Sequence, residues 1–138
     1  MELIRKHVSQ MNRYEKGTLI NRISKLDRYE CAMPDYVMNR IKERFLPNFV
    51  YLTKKEVRKI LRNYSIVEYS VKYFDDLKDE RVTLLANTIY TGKNGIKFKV
   101  YIVYSLTKNC LVTAFVNLAS DTHESLDMSI YTKDLRIT

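Results

Sequence analysis

The chain is poor in the residues that mark fibrous, low-complexity or stapled proteins: 3 Gly, 2 Pro and 2 Cys. So little glycine and proline excludes a collagen-like or low-complexity chain. The two cysteines, Cys31 and Cys110, lack metal-ligand spacing and read as reduced thiols of a cytoplasmic protein. No apolar run approaches the ~18 residues of a membrane span. The opening MELIRKHVSQ has no apolar core of signal-peptide length, so export by that route is not expected. No Gly-rich phosphate loop, dinucleotide fingerprint or serine elbow is present, and two lone histidines with two distant cysteines make no zinc site. Nucleotide-hydrolysing, metal-dependent and serine-hydrolase chemistries lose weight accordingly, and no cofactor is expected.

What is present describes one folded domain over residues 1–138. A hydrophobic fraction of 46% with 29% charged residues is ordinary for a globule. A chain this long buries roughly two thirds of its unfolded surface, enough for a core without staples. The net charge of +8 is unevenly placed. Residues 1–63 hold 15 Lys and Arg against 7 Asp and Glu, whereas residues 64–138 hold 9 of each. The excess therefore lies in the first half, which points to a polyanionic partner, most often nucleic acid; a merely solvated basic surface is the alternative.

The first half reads helical. Leu3, Ile4, Val8 and Met11 recur at helical spacing, as do Leu19, Ile20, Ile23 and Leu26, with Gly17 expected at a kink or turn. Pro34 is suited to open a helix running to about Leu46, with Val37, Ile41 and Phe45 inward and Pro47 as its stop. Thr53 and Glu56 have capping-box spacing. The helix they start turns Val57, Ile60 and Leu61 inward and Lys55, Arg58, Lys59 and Arg62 outward.

The second half changes period. Val67, Tyr69, Val71 and Tyr73 alternate with Glu68, Ser70 and Lys72. Asp75–Glu80 reads as a polar loop, Arg81–Thr91 as a strand and Thr91–Gly95 as a hairpin turn. Ile96–Leu106 and Cys110–Leu118 complete four strands, a meander over about 64–118. The segment 119–138 is polar, and Ser129–Thr138 reads as a short fifth strand or a tail. Three or four helices followed by a four-stranded antiparallel sheet is an α+β architecture, helices on one face and the other face free.

On the 34–46 helix, Tyr36, Arg40 and Arg44 fall on one stripe. If Leu106 pairs with Cys110, Tyr101 lies opposite Phe115 and Lys99 opposite Asn117 on the free face, with Thr113 beside them. Cations, hydroxyls and rings suit RNA: cations for phosphate, rings for bases. Lys97 and Lys99 add charge along the same strand. Metal-free RNA cleavage needs a base for the 2′-OH, an acid for the leaving 5′-oxygen, and cations for the phosphorane-like charge. Glu68 is a candidate base, His123 a candidate acid or base, and Arg40 and Arg44 candidate charge stabilisers.

Tyr36–Arg44, the Leu52–Val57 helix start and Leu111-Val112-Thr113-Ala114-Phe115 together resemble the RelE/barnase-like family of small RNase toxins over roughly residues 34–118. That pattern has a helix opening His-Ala-x-x-Arg-x-x-x-Arg and a final strand with a hydroxyl in an apolar run. Arg40, Arg44 and Thr113 match it. Tyr36 stands where the family has His, so catalysis by this chain would be rerouted through Tyr36 or His123, altered, or lost. The resemblance implies a metal-independent endoribonuclease acting on RNA or ribonucleoprotein, with a protein antitoxin as partner. The competing expectation is a non-catalytic inhibitor from a phage or mobile element that binds a host nucleic-acid or nucleoprotein complex. A plain DNA-binding regulator lacks a recognition-helix signature.

Overall fold

The computed structural model describes residues 2–27, 30–120 and 127–138. Among these residues the architecture is α+β: three α-helices and a six-stranded antiparallel sheet. The chain opens with a strand, β1 (Glu2–His7), followed by α1 (Arg13–Ser24), α2 (Asp35–Phe45) and α3 (Lys54–Ile60). Strands β2 (Tyr64–Phe74), β3 (Leu77–Ala86), β4 (Tyr90–Thr91), β5 (Lys97–Ser105) and β6 (Cys110–Leu118) come after them. The sheet runs β1-β2-β3-β5, and β5 pairs with both β4 and β6.

Two expectations are corrected here. The sheet has six strands, and the helices follow the first strand instead of opening the chain. Leu3 and Ile4, expected on a helix, belong to β1, where Glu2–His7 pair with Tyr73–Glu68. A partner some 65 residues away leaves no trace in local periodicity. Ile4 and Lys6 lie opposite Val71 and Tyr69, on the helix side, while Arg5 and His7 lie opposite Ser70 and Glu68 on the other side.

The helices follow local chemistry more closely. Asn12 caps α1: its side chain accepts from the Glu15 N–H at 2.8 Å, and Glu15 reaches back to the Asn12 N–H at 3.2 Å. Leu19 and Ile23 are buried, and Gly17 sits inside the helix without a kink. Pro34 is the cap of α2, and Val37, Ile41 and Phe45 are all buried as their spacing requires. Thr53 Oγ1 accepts from the Glu56 N–H at 3.2 Å. The Glu56 carboxylate turns instead to the Tyr90 hydroxyl at 3.1 Å, so only half of the expected capping box forms. Val57, Ile60 and Leu61 are buried.

In the sheet, Asp75–Glu80 is mostly strand, because a tight turn with Asp75 at φ 45° lets β3 begin at Leu77. The β4–β5 hairpin passes so close to Asn48 that a Cβ on Gly92 would lie 2.2 Å from its carbonyl oxygen, so only glycine fits without a shift. At the β5–β6 turn, Ser105, not Leu106, faces Cys110. A bulge between Val103 and Tyr104 then restores the expected pairs Tyr101↔Phe115 and Lys99↔Asn117.

The described C-terminal residues, 127–138, form no strand. After a short 3₁₀ turn at Met128–Ile130, the Thr132 N–H donates to the Arg5 carbonyl at 2.7 Å, and Ile137 is buried. Lys6 Nζ donates to both Glu15 oxygens at 2.9 Å and to the Leu135 carbonyl at 2.8 Å, and the Ile137 N–H donates to Glu15 at 3.1 Å. Burial alone would raise the Glu15 pKa; the Lys6 hydrogen bond and the Asn12 and Ile137 N–H groups outweigh it and hold the carboxyl below its ordinary value.

Candidate nucleic-acid interface

The edge position of β6 creates a first cleft. With Val37, Ile41 and Phe45 anchored in the core, the neighbouring stripe of Tyr36, Arg40 and Arg44 is exposed beside β6. Thr113 sits opposite Val103, on the sheet face away from the helices. Arg44 spans the edge, and its Nη1 donates to Thr113 Oγ1 at 2.9 Å. The cleft, about 470 Å³, is lined by Tyr36, Arg40, Arg44 and Thr113 together with Lys72, Asp79, Arg81, Ser105 and Lys108.

Its electrostatics are one-sided. Among the described residues, Arg40, Arg44, Lys72 and Lys108 have no carboxylate within 4.0 Å. Lys72 and Lys108 both lie over the Phe74 ring, 5.1 and 5.6 Å from its centroid. The cleft's one acidic residue, Asp79, is 2% exposed and already engaged. It accepts from Ser105 Oγ at 2.6 Å and from Arg81 Nε at 2.8 Å. Burial pushes the Cys110 thiol pKa up, so a thiolate nucleophile is disfavoured there.

A second cleft, about 510 Å³, occupies another part of the same sheet face. Arg5 grips Glu68 in a bidentate pair at 2.7 and 2.6 Å, and the Tyr131 hydroxyl donates to Glu68 at 3.2 Å. That pairing, chiefly its hydrogen bond, raises the Arg5 pKa. Lys99 lines this cleft too. Tyr101 stacks on Phe115 with ring centroids 4.8 Å apart and planes 7° from parallel. Tyr101 is only 4% exposed, so its ring backs Phe115 and does not itself present an open stacking face.

The structure thus brings together Tyr36, Arg40, Arg44 and Thr113 in one cleft and places Glu68, Lys99 and Tyr101 in the other. The α3 cations lie elsewhere: Lys59 and Arg62 line a third, smaller cleft with Tyr90 and Ala86, and Lys59 pairs with Glu56 at 3.6 Å. Lys55 and Lys97 are exposed outside all three clefts. Arg58, expected outward, is half-buried, with its Nε enclosed and without a hydrogen-bond partner. His123 lies outside the described residues.

Sequence reasoning missed Lys72, Asp79, Arg81 and Lys108 as companions of the α2 arginines. Strand alternation places Lys72 and Arg81 on the face away from the helices, but only the packing of α2 on β6 joins that face to the arginine stripe. Among the described residues, no helix is long and apolar enough to cross a membrane. No group of three or more His, Cys, Asp or Glu among them is placed to hold a metal ion. No family model, curated protein or solved structure matches the chain.

Proposed function

We propose that this chain is a small RNA-interacting protein that grips phosphate in the cleft between α2 and the edge of the sheet. The observation that carries this reading is the convergence of Arg40, Arg44, Lys72 and Lys108, none paired to a described carboxylate, on one cleft. Cations at that density attract a polyanion and lower its energy by counterion release. The exposed Tyr36 ring and the Thr113 hydroxyl beside them favour an RNA strand over a featureless anion.

Metal-independent endoribonuclease activity of toxin type is the first activity to test. The Arg44–Thr113 hydrogen bond joins two of the residues that the family resemblance assigns to the reacting centre. Arg40 and Arg44 would stabilise the charge that develops as the 2′-oxygen attacks phosphorus. A specific observation supports the alternative, a non-catalytic phage or mobile-element inhibitor of a host nucleic-acid or nucleoprotein complex. Glu68, the candidate base, has both oxygens held by Arg5 in a different cleft, and Tyr36 replaces the family's histidine.

Incubation of the purified protein with labelled single-stranded RNA, with and without EDTA, separates these readings. EDTA-resistant cleavage leaving 2′,3′-cyclic phosphate ends, lost in Arg40→Ala, selects the enzyme. Salt-sensitive binding without cleavage selects the inhibitor. No binding at low salt sinks both.

A further inference from the structure

The cleft holds more positive charge than any single internal phosphodiester supplies in negative charge, and two of its guanidiniums are fixed in place before any ligand arrives. Asp79 is buried and accepts from Arg81 Nε at 2.8 Å and from Ser105 Oγ at 2.6 Å. Ser105 Oγ is itself set by the Lys108 N–H at 3.0 Å. This chain orients Arg81 through Nε, leaving both Nη groups without a hydrogen bond among the described residues. Across the cleft, Arg44 is oriented by Thr113 at 2.9 Å. An oriented guanidinium binds phosphate oxygens in a fork and has less side-chain entropy left to lose than a free one.

Charge counting then selects the ligand. With Asp79 offset by Arg81, four cations remain around about 470 Å³. An internal phosphodiester brings a single negative charge, whereas a terminal phosphate carries about −1.5 to −2 near pH 7 and exposes three acceptor oxygens. Unneutralised cations crowded together repel, so the site is matched better by a concentrated anion than by a passing diester.

We infer that the cleft is a terminal-phosphate site, with Arg81 and Arg44 as the facing forks and Asp79 as the residue that positions Arg81. The inference rests on the phosphate-gripping reading above and narrows its ligand to a 5′-phosphorylated end or a nucleoside polyphosphate.

Fluorescence anisotropy at fixed ionic strength tests it with one single-stranded RNA sequence bearing a 5′-hydroxyl, 5′-monophosphate or 5′-triphosphate, and with ATP as competitor. The phosphorylated ends should bind tighter than the 5′-hydroxyl by roughly tenfold for each added charge-assisted hydrogen bond. Arg81→Lys keeps the net charge but removes the fork, so it should erase that preference while retaining binding of the 5′-hydroxyl RNA. Ser105→Ala, which removes one of the two hydrogen bonds to Asp79, should weaken the preference, and circular dichroism checks that both variants fold. ATP competing as strongly as 5′-triphosphate RNA identifies a free nucleotide as the source; weak competition identifies an RNA end. Equal, salt-sensitive binding of all three RNAs overturns the terminal-phosphate inference and leaves the RNA reading standing. Binding of ATP but no RNA does the reverse, and binding of neither overturns both.

Discussion

Replacing Arg40 and Arg44 together with alanine should change how RNA affinity depends on salt more than it changes the fold. Both residues are exposed, and among the described residues their one side-chain hydrogen bond is Arg44 to Thr113. Exposed arginines contribute little to stability, so the melting temperature should stay within a few degrees. The cleft offers four cations without a described carboxylate partner. If each neutralises one phosphate of a single strand, log affinity falls with log salt at a slope of about −2.8. Raising salt from about 50 mM to about 200 mM then weakens binding about 50-fold. Removing two of the four cuts the slope to about −1.4 and the loss to about sevenfold. The assay is a salt titration of anisotropy with labelled single-stranded RNA. Lys59→Ala with Arg62→Ala is the matched control, because those residues line a separate cleft and should leave the slope nearly unchanged. An unchanged slope in the Arg40/Arg44 variant, or an equal flattening in the α3 variant, would refute the assignment of the phosphate path to this cleft.

Other outcomes are expected from the remaining geometry. Glu15→Gln leaves Lys6 a buried cation with no anionic partner, at a cost of about 3–5 kcal/mol, or roughly 10–15 °C in Tm for a chain this size. Lys6→Met with Glu15→Leu should recover only part of that loss, because the Asn12 and Ile137 N–H groups and the Leu135 carbonyl lose their partners, and calorimetry of the single and double variants checks it. The Glu15 and Glu80 carboxyls are both held below their ordinary value, Glu80 chiefly by its hydrogen bond from Arg22. Their contribution is therefore present above the ordinary carboxylate pKa and lost as pH falls through the lower folded one. Urea midpoints should be flat from about pH 7 to 5 and drop below about 4.5, and a midpoint that rises on acidification contradicts the pairing. Gly92→Ala should destabilise by about 1–3 kcal/mol, because the new Cβ meets the Asn48 carbonyl and β4 must shift; a neutral result in thermal melts would show that the hairpin relaxes freely.

The helices and strands that formed as expected are those whose causes are local. Asp35–Phe45 opens directly after Pro34 and carries a buried stripe, and Cys110–Leu118 follows a short turn. Those features act over a few residues, so a one-dimensional pattern contains them. Thr53 capped its helix for the same reason, while Glu56 left the capping box because Tyr90, far along the chain, offered it a hydroxyl. The charge asymmetry and the stripe of Tyr36, Arg40 and Arg44 were likewise legible, since helical spacing alone aligns them. Tertiary structure decided what depends on partners distant in sequence. Glu2–His7 became a strand because Glu68–Tyr73 were available to pair with it, overriding an apolar spacing that suits a helix. The bulge at Val103/Tyr104 reset a register that turn length alone would have placed one residue off. Glu68 was drawn into a bidentate pair with Arg5, and Asp79 into orienting Arg81, through contacts that only the folded sheet creates. The cleft itself belongs to that second class: Arg40 and Arg44 come from a helix, and its other cations from two strands and a turn. Only the packing of α2 against an edge strand puts them around one volume of water.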